Sequence, residues 1–163
     1  MRYGIWIIIG MAIFFLCPAF DSPSGANSSG GAPMTMCMDC HGMPKGAEIR
    51  MENLPSSFHP GATYEMSVKV VSVVKSEGDI QGGFAVSASA GELIVSDPVN
   101  TQISGGFITH TPEGTQSRTW KFKWKAPAEK KPVTLNVSVI AANGDFAPAN
   151  DGFARREFVI SPR

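Results

Sequence analysis

Residues 120–125 read Trp, Lys, Phe, Lys, Trp, Lys, three aromatic side chains alternating with three lysines. A period of two puts Trp120, Phe122 and Trp124 on one face of an extended strand and Lys121, Lys123 and Lys125 on the other; a helix cannot sort them that way. The aromatic face needs a second layer to cover it, while the lysines suit water. The same period recurs between turn residues at 64–70, 84–88, 93–95, 107–111, 133–139 and 158–160. No window of helical length carries a 3.6-residue stripe, and 17 Gly and 12 Pro oppose helices. The pattern predicts an all-β chain: an Ig-like antiparallel β-sandwich of about seven strands.

A chain of 163 residues holds one domain and does not accommodate a second, cofactor-binding half. Its 14 basic and 14 acidic residues balance, so no basic excess marks it for nucleic acid. The 10 Phe and 3 Trp supply a packed core, which excludes wholesale disorder. The 3 Cys are an odd number and need a separate account.

Residues 1–19 supply part of it. Arg2 precedes an apolar run over residues 5–16, then small residues. The run is shorter than the roughly 20 residues that span a bilayer and has the length of a signal-peptide core. Cys17 and Ala19 present small side chains where a signal peptidase reads, so cleavage is expected before Phe20. A lipobox at Cys17 needs a small residue before it, and Leu16 stands there instead. An uncleaved anchor over residues 5–20 stays open and is the one expected membrane contact. In each case the folded part lies outside the cytoplasm: in the periplasm, at the cell surface or beyond it. Cleavage removes Cys17 and leaves Cys37 and Cys40 as a pair. Residues 20–33, rich in Gly and Ser, read as a linker.

The pair stands in Cys37, Met38, Asp39, Cys40, His41, the C-x-x-C-H pattern of haem c attachment. Two thiols three positions apart reach the two vinyl groups of the porphyrin, and the adjacent imidazole falls under the iron as an axial ligand. By composition, such a match arises about once per thousand chains. Four alternatives compete. A Cys37–Cys40 disulfide suits an exported protein. Zinc would need His59 or His110 as a fourth ligand. A thioredoxin-type pair lacks a βαβ frame. Met34, Met36, Met38 and Met43 around the thiols and His41 are soft donors suited to Cu(I). For a distal iron ligand, His110 and His59 are the remaining imidazoles, and Met43, Met51 and Met66 the thioethers; an open position is the other option. His110 lies in an expected strand on the face of Ile108, and His59 in a turn with Pro60 and Gly61. Asp145 and Asp151 flank a Gly/Ala/Pro-rich loop and read as turn residues, or as a Ca²⁺ pair if brought together.

Several short stretches together resemble the choice-of-anchor V, Reeler-like β-sandwich of exported bacterial proteins. These are Pro60 to Tyr64, Gly82 to Phe84, Ala90 to Leu93, Thr109 to Thr111, Trp120 to Pro127, Ala141 to Asp145 and Asn150 to Gly152. The resemblance covers roughly residues 31–161. It implies an Ig-like sandwich at residues 59–163, preceded by a haem-binding segment at 34–58, and it raises His110 as the distal ligand. It carries no agreed activity.

The sequence therefore predicts an exported monohaem c-type cytochrome that transfers electrons. Cys37 and Cys40 hold the haem, His41 is proximal, and His110 is distal with His59 as alternative. Redox proteins would be its partners, with self-assembly open. A Cu(I)-binding protein and a non-redox surface or matrix adhesion module are the alternatives. No Ser/His/Asp set or carboxylate cluster points to an enzyme.

Overall fold

The computed structural model describes residues 46–163. Ten strands fill this stretch: β1 (Ala47–Glu52), β2 (Ser57–Phe58), β3 (Thr63–Ser72), β4 (Gly82–Ala88), β5 (Glu92–Val95), β6 (Thr101–Ser104), β7 (Phe107–His110), β8 (Thr119–Lys125), β9 (Val133–Ala141) and β10 (Gly152–Pro162), with one 3-10 turn at Glu113–Gln116. They form a four-stranded sheet in the order β1-β3-β8-β5 and a six-stranded sheet in the order β2-β10-β9-β4-β7-β6. Every pairing is antiparallel except β2 with β10.

The aromatic row behaves as its alternation requires. Trp120, Phe122 and Trp124 are fully buried, and Lys123 on the other face pairs loosely with Glu65 across the β3–β8 ladder. Phe84 of the opposite sheet stacks on Trp120 at 4.9 Å, and Phe58 meets Trp124 edge-on at 5.4 Å. Both indoles are satisfied: Trp120 Nε1 donates to the Gly114 carbonyl at 2.7 Å and Trp124 Nε1 to that of Ala90 at 3.1 Å. Burying a side chain of this size stabilises the fold by on the order of 3 kcal/mol.

Where the sequence predicts about seven strands, the sandwich has ten. β1 lies within the stretch assigned above to the haem segment, yet Ile49 and Met51 alternate with Glu48, Arg50 and Glu52, and Ile49 is buried in the core. The sandwich therefore takes in residues ahead of 59. β6 is polar and gains its pairing from β7 alone. β10 runs through Arg155, Arg156 and Glu157, a charged stretch at odds with a strand reading, because β9 pairs with it from Gly152 to Ile160.

The ladders define two ends. Gly82, Ala141 and Gly152 lie together at one, which also receives Gly46 through its bridge to Phe153. Ala88, Val133, Ile160 and Phe58 mark the other.

Candidate functional site

His110 sits where the β4–β7 ladder stops. Backbone pairing holds at Val86↔Ile108 and Ala85↔Thr109 and goes no further. At the next rung, side chains replace backbone. Thr109 Oγ1 donates to the Phe84 carbonyl at 2.6 Å, and the Phe84 N–H donates to His110 Nδ1 at 3.2 Å. Gly83 makes room for the ring, since a Cβ there would stand 2.7 Å from His110 Cε1. Thr111 extends the clamp: its hydroxyl donates to the Val99 carbonyl and accepts the Gly114 N–H. All three residues of the Thr-His-Thr stretch thus satisfy backbone groups.

Burial pushes the His110 pKa down, more than its contact with the Phe84 backbone raises it. Nδ1 faces both polar groups of Phe84, the N–H at 3.2 Å and the carbonyl at 3.3 Å, so it accepts from the first when the proton sits on Nε2 and donates to the second when the proton sits on Nδ1. An imidazole that ligates iron through Nε2 must carry its proton on Nδ1. That tautomer exchanges the bond from the Phe84 N–H for one to the Phe84 carbonyl, 3.3 Å away, whose second lone pair is left by Thr109. His110 is therefore held by the Phe84 backbone in either form.

His59 is exposed at the opposite end. Its carbonyl accepts from Ala62 at 3.1 Å around Pro60 and Gly61, whose φ of +74° defines a type II turn. Its own N–H donates to Tyr64 Oη at 2.7 Å. Four ladder steps, about 19 Å, separate β2 from β7, so the two imidazoles cannot serve one iron. Met66 is 1% exposed between the sheets, which removes its thioether from any outer site. Met51 is half-buried and packs on the same core. Cys37, Cys40, His41, Met34, Met36, Met38 and Met43 lie outside the described residues.

Two further features sit at the Gly82 end. An open cleft of about 570 Å³ is lined by Ser72 to Ser76, Gln81 and Arg118. Arg118 staples its walls, donating to the carbonyls of Val74 (2.8 Å), Gln81 (3.1 Å) and Ala142 (3.2 Å). Nearby, Asn143 organises the β9–β10 loop: its N–H donates to Asp151 at 2.9 Å and its side-chain amide to Asp145 at 2.9 Å. The Ala147 N–H also donates to Asp145, and these donors hold its pKa below the usual range. Asp145 and Asp151 are thus turn residues whose oxygens face the loop's own donors. Among the described residues, no three His, Cys, Asp or Glu side chains group as a metal site.

No family model and no curated protein matches the chain. Among solved structures, the human F-spondin reeler domain is similar, with a TM-score of 0.50 and 18% identity over 74% of this chain and 90% of that one. A second F-spondin structure, its Reelin-N domain, gives 0.51 and 17% over 79% and 96%. The fold is a Reeler-like β-sandwich. At this identity the likeness extends to the fold alone. A lipoprotein from Bacteroides thetaiotaomicron also aligns, at a TM-score of 0.45 and 15% identity over 74% and 83%. The interior of the Reeler-like body is filled by aromatic and branched side chains.

Proposed function

We propose that the chain is an exported Reeler-like β-sandwich bearing one covalent haem c, which transfers single electrons between redox proteins. The observation that carries this reading is C-x-x-C-H at Cys37, Cys40 and His41, in a chain whose first residues read as an export signal. Each thiol adds its sulfur and its hydrogen across one vinyl C=C of the porphyrin, so no oxidant is required, and His41 supplies an axial nitrogen. Bound there, the haem supplies a one-electron couple poised by its axial ligands and burial. The resemblance to choice-of-anchor V proteins supports the same combination of motif and sandwich. His110, steadied through Nδ1 by the Phe84 backbone, is the distal candidate, and Met43 or an open position are the alternatives.

A denaturing gel of the exported protein stained for haem tests this directly. The band is expected to stain, the purified protein to show a reversible Soret shift on reduction, and Cys37→Ala to abolish both. An unstained wild-type band refutes the reading. The fold comparison favours a second one, a non-redox surface module with Cys37 and Cys40 oxidised to a disulfide; it predicts a colourless, metal-free protein. A colourless protein that takes up Cu(I) through Met36 and Met38 would instead point to copper.

A further inference from the structure

The β6–β7 hairpin turns through Gly105 and Gly106, whose φ of +57° and +81° give the type I′ turn that a two-residue connection favours. Such a turn makes Ser104 and Phe107 a hydrogen-bonded pair. Antiparallel pairs then alternate, so Gln102 with Thr109 is bonded and Ile103 with Ile108 is not. The Thr111 N–H, donating to the Asn100 carbonyl at 3.1 Å, keeps the same alternation. Backbone groups of Ser104 and Gln102 therefore point at β7, and those of Ile103 and Thr101 point away from the sheet. Thr101 is closed locally, its N–H donating to the Asp97 carbonyl at 2.8 Å. Ile103 is open: β6 is the last strand of its sheet, and among the described residues neither its N–H nor its carbonyl has a partner.

The side chain is open as well. Ile103 shares a face with its cross-strand neighbour Ile108, which is fully buried, yet Ile103 is 50% exposed and Val99, just before the strand, 63%. The other edges differ. β1 carries Glu48, Arg50 and Glu52, β5 carries Glu92, and β2 has only two residues. Charges on an edge oppose pairing with another chain, and so short a strand offers little to pair with. β6, from Thr101 to Ser104, holds no charge.

We infer that β6 pairs antiparallel with β6 of a second copy of this chain, about a two-fold axis at Ile103, joining two six-stranded sheets into one. At such an axis one residue must give and accept at once, and Ile103 offers its N–H and carbonyl together. Each isoleucine side chain then lies beside the partner's Ile103, a β-branched cross-strand pair that covers what each copy leaves exposed. Gln102 comes opposite the partner's Ser104, and Thr101 opposite the partner's Gly105, which has no side chain to obstruct it. The 14 basic and 14 acidic residues cancel, so long-range repulsion between copies is small. One bonded pair and one apolar pair make a small contact and hence a weak dimer. The pairing draws on no haem and stands apart from the cytochrome reading.

Sedimentation equilibrium of the exported protein tests it. A monomer is expected at about 1 μM and at least about half dimer at about 1 mM. Ile103→Lys sets like charges opposite each other and should raise the dissociation constant at least about 10-fold, with unchanged circular dichroism. Ile103→Pro removes an outward N–H that an edge strand can lose, and should weaken the dimer likewise while keeping the β7 ladder. By NMR, amide exchange at Ile103 should slow about twofold between about 50 μM and about 1 mM, while Gln102 and Ser104 stay protected at both. A protein still monomeric at about 1 mM would overturn the inference. So would a dimer that survives both substitutions, growth beyond two copies, or an Ile103 amide as protected as that of Gln102 at the lowest concentration.

Discussion

Replacing His110 by alanine separates a clamp from a ligand. The imidazole accepts the Phe84 N–H at 3.2 Å, and Phe84 is 3% exposed, so water does not replace the lost acceptor freely. A buried donor left without a partner costs about 1–3 kcal/mol. We expect His110→Ala to lower stability by about 2 kcal/mol at neutral pH, with a fall in Tm of about 8 °C for a domain this size. The pH dependence gives a second handle. The folded pKa lies below the ordinary histidine value of 6.5, so between the two the unfolded chain binds more protons. Wild-type stability is therefore complete above that value and declines as pH falls through it toward the folded pKa. His110→Ala should remove this part of the acid decline, so the penalty shrinks at about pH 5 relative to about pH 7.5. Urea melts followed by fluorescence of Trp120, which stacks on Phe84, read both effects. A loss below about 0.5 kcal/mol, or the same loss at both pH values, would refute the clamp. A changed Soret band with unchanged stability would do so too.

Arg118→Leu should cost about 3 kcal/mol by chemical denaturation, since three carbonyls lose their donor at once, and Arg118→Lys should recover little because an ammonium cannot reproduce the fork. Gly114→Ala places a Cβ 2.1 Å from the Asn100 carbonyl oxygen, a backbone clash with no side chain to yield; we expect more than about 2 kcal/mol of destabilisation in the same melts. Trp124→Phe should cost about 2–3 kcal/mol, from the donor lost to Ala90 and the space opened beside Phe58 and Tyr64, and an equal Tm for variant and wild type would contradict that packing.

How far the sequence carries depends on the range of the cause. β8 is legible because alternation is a local property, and the Trp120 row predicts both the strand and its buried face. β1 carries the same alternation over only six residues, and its place in the sandwich comes from its ladder with β3. β6 and most of β10 were not legible, because Thr101–Ser104 and the charged middle of β10 become strands only through their partners. The role of His110 depends on where the β4–β7 ladder ends and on a glycine at position 83, neither of which appears in local pattern.

The two ends of β10 have a mechanical consequence. Gly46 meets the strand near its start through Phe153, and Phe58 and Arg163 meet near its finish, where the Arg163 N–H donates to the Phe58 carbonyl. Tension applied between Gly46 and Arg163 therefore enters through β1 and β10 and loads the β1–β3 and β9–β10 ladders in shear, the rungs of each resisting together rather than opening in turn. A pull on the chain at Gly46 would then be met first by the six rungs that hold β1 to β3, and a pull at Arg163 by the nine that hold β10 to β9.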